Sequence, residues 1–323
     1  RSGVMLESKL ISVDPGKYAT KAIALNKNNS MENVHFRTKI FRLNNNIGLE
    51  AQGKSFNVTL NGEDYIIGDQ GEEVDYTVDK ANINHKLATY TAATQLLEGH
   101  QAIRLVIGCP TSIYRNKGLR EDYRNYIWNE GRVGIKVNEK SYSFLVENVL
   151  VLPEGSGIVY TKPELFKDKR VAVIDLGGLN MNFTIYDNLI PQPSSMFTLN
   201  HGYAEIETRL TNELNSVYGA SLASNDIQNI IKQGGVKLKG TIDPKSSHII
   251  NSIIDQFMVK LIQETKKNNF NLDMMDVVFV GGTSLLIHDK ILHYLPHATI
   301  MDNALWANVE GFYKVGAIKY GRK

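Results

Sequence analysis

With 323 residues the chain is longer than one hydrophobic core usually serves, so two domains are expected, each able to bury its own interior. Its 36 Lys and Arg nearly balance 34 Asp and Glu, which argues against a whole-protein electrostatic footprint for nucleic acid or anionic lipid. A single cysteine, Cys109, excludes an internal disulfide, no apolar run is long enough to cross a bilayer, and the basic-then-apolar start of a leader is missing; a cytoplasmic protein with no direct nucleic-acid or membrane contact is expected.

The first element is Leu10-Ile11-Ser12-Val13-Asp14-Pro15-Gly16, returning as Thr20-Lys21-Ala22-Ile23-Ala24-Leu25. An apolar run ending in an acid and a glycine reads as a buried strand that stops at a tight turn. The hairpin so formed is expected to offer main-chain N–H groups to an anion, with Asp14 beside it to hold a cation or its water. Residues 34–40 extend the sheet, and 41–54 is polar and loop-like apart from Ile47 and Leu49, which are expected to fold back on their own domain, a contact for another subunit being the alternative. Phe56 to Gly68 is two alternating strands around the Asn61-Gly62 turn.

From His85 the pattern turns helical, with Leu87, Tyr90, Thr91, Thr94 and Leu97 at helical spacing and Gly99 ending it; His85 itself is expected to be solvated. A buried-type strand, 103–109, precedes a helix over 112–128 that presents Tyr123, Tyr126 and Ile127 on one face. Residues 144–152 are strand-like and lead into Pro153-Glu154-Gly155-Ser156-Gly157, after which Ile158-Val159-Tyr160 begins a helix crossing to the second half. A carboxylate at such a crossover lies over a cleft floor, which makes Glu154 a candidate for positioning a water at a terminal phosphate, through orientation more than basicity. The plainer reading is a helix-start glutamate that complements the dipole.

Val171-Ala172-Val173-Ile174-Asp175-Leu176-Gly177-Gly178, returning as Asn182-Phe183-Thr184-Ile185-Tyr186, repeats the opening design. Asp14 then aligns with Asp175 and Gly16 with Gly177, an offset of 161 positions. One Asp-x-Gly after a strand means little, because turns use these residues constantly. Two in register point to one half repeated, and to two hairpins that grip a polyphosphate and its metal from both sides of a cleft. A long amphipathic helix opens at Gly202 and runs to Tyr218-Gly219, a shorter one over 225–232 closes on Gly234-Gly235, and a third over 249–267 turns Ile250, Ile253, Ile254, Phe257 and Leu261 inward. Asp276 to Ser284 is a strand running into a turn and a helix, which places the backbone of Gly281, Gly282 and Thr283 against a flat or anionic ligand part. It lacks the third glycine of a dinucleotide fingerprint, and the chain has no Gly-x-x-x-x-Gly-Lys loop. The last helix, 304–320, is read with Phe312, Val315 and Ile318 inward, packing back on the first domain.

In this order the elements resemble the actin-like ATPase superfamily along essentially the whole chain. Asp14-Pro15-Gly16 through Lys21 is similar to its first phosphate motif, Leu152-Pro153-Glu154-Gly155 through Tyr160 to the first interdomain connection, and Asp175-Leu176-Gly177-Gly178 to the second phosphate motif. Val280-Gly281-Gly282 is similar to the adenosine motif and Ala307-Asn308-Val309-Glu310-Gly311 to the second connection. Within the superfamily the chain most resembles the ParM-type plasmid-segregation actins, on Asn61-Gly62-Glu63-Asp64-Tyr65-Ile66-Ile67-Gly68, Asn84-His85-Lys86-Leu87, Gly108-Cys109-Pro110-Thr111 with Tyr114, and Ala307-Asn308 through Gly311-Phe312.

The resemblance implies an α/β, actin-like fold of the duplicated ribonuclease H-like kind, with two domains around a nucleotide cleft. Domain I is expected over 1–160 plus 300–323, with a small subdomain at about 34–80, and domain II over 161–299, with one at about 203–270. It implies a polymerising ATPase whose filaments move plasmid copies apart through self-association and a centromere-bound adaptor of the ParR type. The cofactors implied are ATP, with GTP left open, and Mg²⁺ flanked through water by Asp14 and Asp175. Gly16, Lys17, Tyr18, Lys21, Gly177, Gly178, Leu179 and Asn180 would border the phosphates, and Lys232, Gln233, Gly281, Gly282 and Thr283 the nucleoside. Glu154, with Asp14 and Asp175, would form the catalytic set. Two departures stand out: Leu179-Asn180-Met181-Asn182 where the family continues with threonines and an Asp, and Thr283 at a common third glycine. The alternatives are an MreB-type cytoskeletal actin and a small-molecule kinase of the same superfamily, which would need a base facing a substrate hydroxyl and longer inserts.

Overall fold

A computed structural model describes residues 8–43, 50–72 and 80–321, so Ile47 and Leu49 lie outside the described residues. The chain divides into two units, Arg1–Leu165 with Trp306–Lys323, and Phe166–Leu305.

The first unit is built on β1 (Ser8–Pro15), β2 (Ala19–Leu25), β3 (Met31–Arg37), β4 (Ile40–Leu43), β5 (Ser55–Leu60), β6 (Glu63–Gly68), β7 (Ala102–Cys109), β8 (Arg132–Val137) and β9 (Lys140–Pro153). They form one sheet in the order β3-β2-β1-β7-β9-β8-β5-β6-β4. β7 lies parallel to both β1 and β9, and its continuous apolar run is what a strand covered on both faces requires. Asn61 and Gly62, both at positive φ, make the tight turn between β5 and β6.

Helix α1 (Ile83–Leu96) starts where the Asn82 side chain accepts the His85 N–H, and it is buried almost all round. His85 is therefore fully buried instead of solvated, because α1 is packed between the sheet and a neighbouring helix. The single helix expected over 112–128 is two, α2 (Thr111–Arg115) and α3 (Lys117–Trp128). Asn116 breaks it: its backbone is extended, its N–H returns to the Ile113 carbonyl, and its side chain caps the Leu119 N–H of the next helix. Helix α4 (Gly157–Thr161) follows β9 directly.

The second unit opens with β10 (Arg170–Leu176), β11 (Met181–Asp187), β12 (Ile190–Pro191) and β13 (Phe197–Leu199). Then come α5 (Tyr203–Tyr218), α6 (Ser224–Gln233), the short pair β14 (Lys237–Leu238) and β15 (Thr241–Ile242), and α7 (Pro244–Lys267). β16 (Asp276–Val280), α8 (Gly282–Leu286), α9 (His288–Tyr294) and β17 (Thr299–Ile300) complete it. The sheet order is β12-β11-β10-β16-β17, with β13 paired to β11. α7 begins five residues before the apolar periodicity, because Asp243 caps it and Pro244 occupies its first turn. Ile250, Ile253, Ile254, Phe257 and Leu261 are buried as their spacing requires.

The chain ends in α10 (Ala307–Tyr320), which packs on α4, β1, β2 and β7 within the first unit. It starts three residues later than expected, and Ile318 is 76% exposed instead of inward. The inner stripe runs through Asn308, Val309, Phe312, Tyr313 and Gly316, and Ile318, six residues after Phe312, falls on the opposite side. α10 crosses α4 at two glycines: a Cβ on Gly311 would lie 2.0 Å from the Gly157 carbonyl oxygen, and one on Gly157 2.2 Å from that of Ala307.

Candidate functional site

In the first unit, Asp14 stands one residue before the end of β1, with Lys21 directly opposite on β2. The Lys21 ammonium lies 3.1 Å from Asp14 Oδ2, and Asn308 of α10 donates to the same oxygen at 3.4 Å. Burial disfavours the charged carboxylate, but Lys21 and Lys80, with hydrogen bonds from Lys21 and Asn308, outweigh it and hold Asp14 below its ordinary value. Asp14 Oδ1 is buried with no hydrogen-bond partner among the described residues. An orphaned buried carboxylate oxygen is costly, and it suits a hard cation or that cation's water.

Neighbours brace the tip of this hairpin. The Thr38 hydroxyl donates to the Gly16 carbonyl at 2.6 Å, the Thr38 N–H and Arg37 Nε donate to the Tyr18 carbonyl, and the Arg37 guanidinium stacks 3.6 Å above the Tyr18 ring. Because a trans peptide points its C=O and N–H in opposite directions, the Lys17 and Ala19 amides turn away from these braces. The Gly16 N–H is used differently: it donates back to the Asp14 carbonyl at 2.9 Å and closes the turn. Lys17 is 4% exposed at the same tip.

Glu154 follows β9, its N–H donating to the Cys109 carbonyl at 2.8 Å. Its Oε1 takes a 2.5 Å ion pair from Lys80, a lysine only 1% exposed whose ammonium also donates to the Pro15 carbonyl at 2.9 Å. Next along the chain, the Gly155 N–H donates to Asn308 Oδ1 at 2.9 Å. Asn308 thus ties the residue after Glu154 to Asp14, and the two motifs named as interdomain connections meet at this point of the first unit.

The second unit repeats the geometry in the same register. Asp175 pairs across the strands with Asn182 as Asp14 does with Lys21, and Leu176 with Met181 as Pro15 does with Thr20. The Gly177 N–H closes its turn on the Asn180 carbonyl at 2.9 Å, and the Gly177 carbonyl, like that of Gly16, receives a threonine hydroxyl, here from Thr283 at 2.8 Å. The first amides of α5, those of Tyr203 and Ala204, donate to the Gly177 and Gly178 carbonyls, which turns the Gly178 and Leu179 amides away from that helix. Asn182 is 3% exposed and its Oδ1 accepts from Thr198 at 2.8 Å, while Met181 is fully buried. The unusual Asn180-Met181-Asn182 run therefore shapes the hairpin itself.

Gly281, at φ 90°, leaves β16 beside Asp175: a Cβ there would come 2.6 Å from Asp175 Oδ1 and 2.3 Å from the Leu176 carbonyl oxygen. Asp175, Gly177, Gly281 and Thr283 are thus brought together, with Gly178 beside Gly177 and Gly282 opening α8. Lys232 and Gln233 lie in the last turn of α6, which packs near α8, and the Gln233 side-chain amide donates to the Gly235 carbonyl at 2.8 Å. Among the described residues no group of three or more His, Cys, Asp and Glu side chains gathers as a metal shell, and no helix is long and apolar enough to cross a membrane.

Sequence reasoning missed Lys80, Thr38 and Arg37. Lys80 sits in a polar stretch with no motif around it, and the threonine and arginine look like ordinary strand-end residues; only tertiary placement sets them on the hairpin and on Glu154.

Residues 12–157 match the family described as actin like proteins, N terminal domain. Among solved structures, an Alp12 filament structure is 36% identical, with 97% of this chain and 99% of that chain covered and a TM-score of 0.71. The archaeal actin homologue Ta0583 is 16% identical, with 96% and 99% covered and a TM-score of 0.76. A 15-stranded ParM filament from Clostridium botulinum is 17% identical, with 97% and 99% covered and a TM-score of 0.71. A search of curated proteins finds no match. The identity to the Alp12 chain over nearly the whole length, on a fold shared with archaeal and bacterial actins, shows that the chain belongs to the actin-like protein family.

Proposed function

We propose that the chain is a nucleotide-dependent ATPase that polymerises, and that its filaments segregate plasmid DNA through a centromere-bound adaptor of the ParR type. The observation that carries the reading is the pair of hairpin tips, one per unit, each with a buried Asp at the same register and a glycine carbonyl tied back by a threonine hydroxyl. The 36% identical relative is described as a filament, and an ADP complex is described for the archaeal homologue; both support the reading.

Each tip binds phosphate through amides turned away from its braces, Lys17 and Lys21 adding positive charge in the first unit. The Gly281-Gly282-Thr283 turn, with Lys232 and Gln233, borders the nucleoside. Asp14 and Asp175 are the residues that would hold Mg²⁺ through its water, and the ion would supply charge neutralisation on the phosphates. Glu154 orients the water that attacks the terminal phosphorus, the bond to the ADP oxygen breaks, and the water's proton passes to solvent or product phosphate. Because Glu154 works by orientation and Gln exchanges one of its two acceptor oxygens for a donor, Glu154→Gln is expected to bind ATP like the wild type and to release phosphate up to about 10²-fold more slowly, the order of cost of a misplaced reacting group. Single-turnover phosphate release beside fluorescent-nucleotide titration checks this, and an unchanged release rate contradicts it.

A further inference from the structure

We infer that Lys80 is the positioning residue for Glu154, coupling the first hairpin tip to the carboxylate that orients the attacking water; this rests on the nucleotide reading above. A lysine 1% exposed has lost its hydration and persists only where acceptors replace it. Lys80 has two on separate elements, the Pro15 carbonyl at 2.9 Å, directly after Asp14, and Glu154 Oε1 at 2.5 Å. One ammonium therefore joins the residue next to the candidate metal carboxylate to the residue that would handle water.

Stability alone does not explain the arrangement, since apolar residues of similar volume often serve a folded chain as well as a buried ion pair does. What the pair does supply is orientation. Lys80 holds Oε1 and the bond to the Cys109 carbonyl holds the Glu154 backbone, so the side chain is anchored at its tip and at its root. Productive water placement needs this kind of support, and a misplacement of about 1 Å costs up to about 10²-fold in rate. The Pro15 bond adds a second consequence. Any displacement of the tip when a terminal phosphate binds pulls on Lys80 and is passed to Glu154, so the carboxylate reports whether the tip is occupied.

The test is a double-mutant cycle read with Mg²⁺ and ATP on the full chain. Lys80→Met keeps the length of the side chain and removes its charge; it is expected to lower kcat for phosphate release at least tenfold with KM for ATP within about twofold of the wild type. In a Glu154→Gln background the same change is expected to have almost no further effect, because Lys80 acts through Glu154. Lys80→Gln, which retains an N–H donor, is expected to fall between wild type and Lys80→Met, and it serves as the reporter if the Met variant does not fold. Effects that multiply in the double variant, or a kcat unchanged in both Lys80 variants, overturn this inference while leaving the nucleotide reading standing. A wild-type chain that binds ATP neither by titration nor by turnover overturns that reading, and this inference with it.

Discussion

Asp14 shows how far a residue's role can be read before its surroundings are known. Its place at the end of an apolar run marked it out, whereas the opposite-charge pair it makes with Lys21, directly across the hairpin, appears only once the strand register is known. In the second half the same register position holds Asn182, a neutral amide engaged by Thr198, so the two halves share a backbone and differ in charge at equivalent points. Lys80 had no such signal, since nothing local distinguishes a buried lysine from a solvated one. His35, opposite Lys21 on β3, carries a further consequence of this crowding of cations. Burial, then the charges of Lys21 and Lys54, lowers its pKa from 6.5 to about 4 against a smaller opposing pull from Asp69. Below 6.5 the unfolded chain takes up a proton that the folded chain refuses until about pH 4, so this contribution to stability is complete above 6.5 and is lost progressively down to about 4. His35→Gln is expected to reduce the fall in urea midpoint between pH 7 and pH 5. Part of the slope remains, because burial, Lys80 and Lys17 shift the fully buried His85 in the same direction. An identical slope in wild type and variant would contradict the assignment.

At the scale of elements, strands and long helices were legible and boundaries were not, for identifiable reasons. The apolar periodicity of 112–128 continues through Asn116, but a side chain able to cap the next helix ends one helix and starts another. Asp243 and Pro244 extend α7 upstream of its apolar stripe, and Ile318 obeyed hydrophobicity but not the helical angle. The crossing of α4 and α10 was visible only as two glycine-containing motifs far apart in sequence. Their contact is backbone on backbone, with Gly157 against Ala307 and Gly311. A methyl group at Gly311 has no flexible side chain to displace, so Gly311→Ala is expected to destabilise the chain by about 1–3 kcal/mol, the usual cost of overpacking, or more if the helices cannot separate. Chemical unfolding of wild type and variant measures it. Equal stability would mean that the crossing is looser than the structure has it.

For the whole molecule, the most informative signal was the repeat at an offset of 161 positions, because it converts two commonplace turns into one design used twice. The structure carries that register through the strand pairs and the bracing hydroxyls of each unit taken by itself. Filament contacts were not legible, since they are surface properties spread over segments with no shared periodicity. Whether nucleotide turnover and assembly belong to one activity is decided by following light scattering and phosphate release in the same cuvette, with Mg²⁺ and ATP, across a series of protein concentrations. Scattering is expected to appear only above a critical concentration, with phosphate release rising after it. Scattering that stays flat at every concentration while phosphate is released steadily would contradict a single activity.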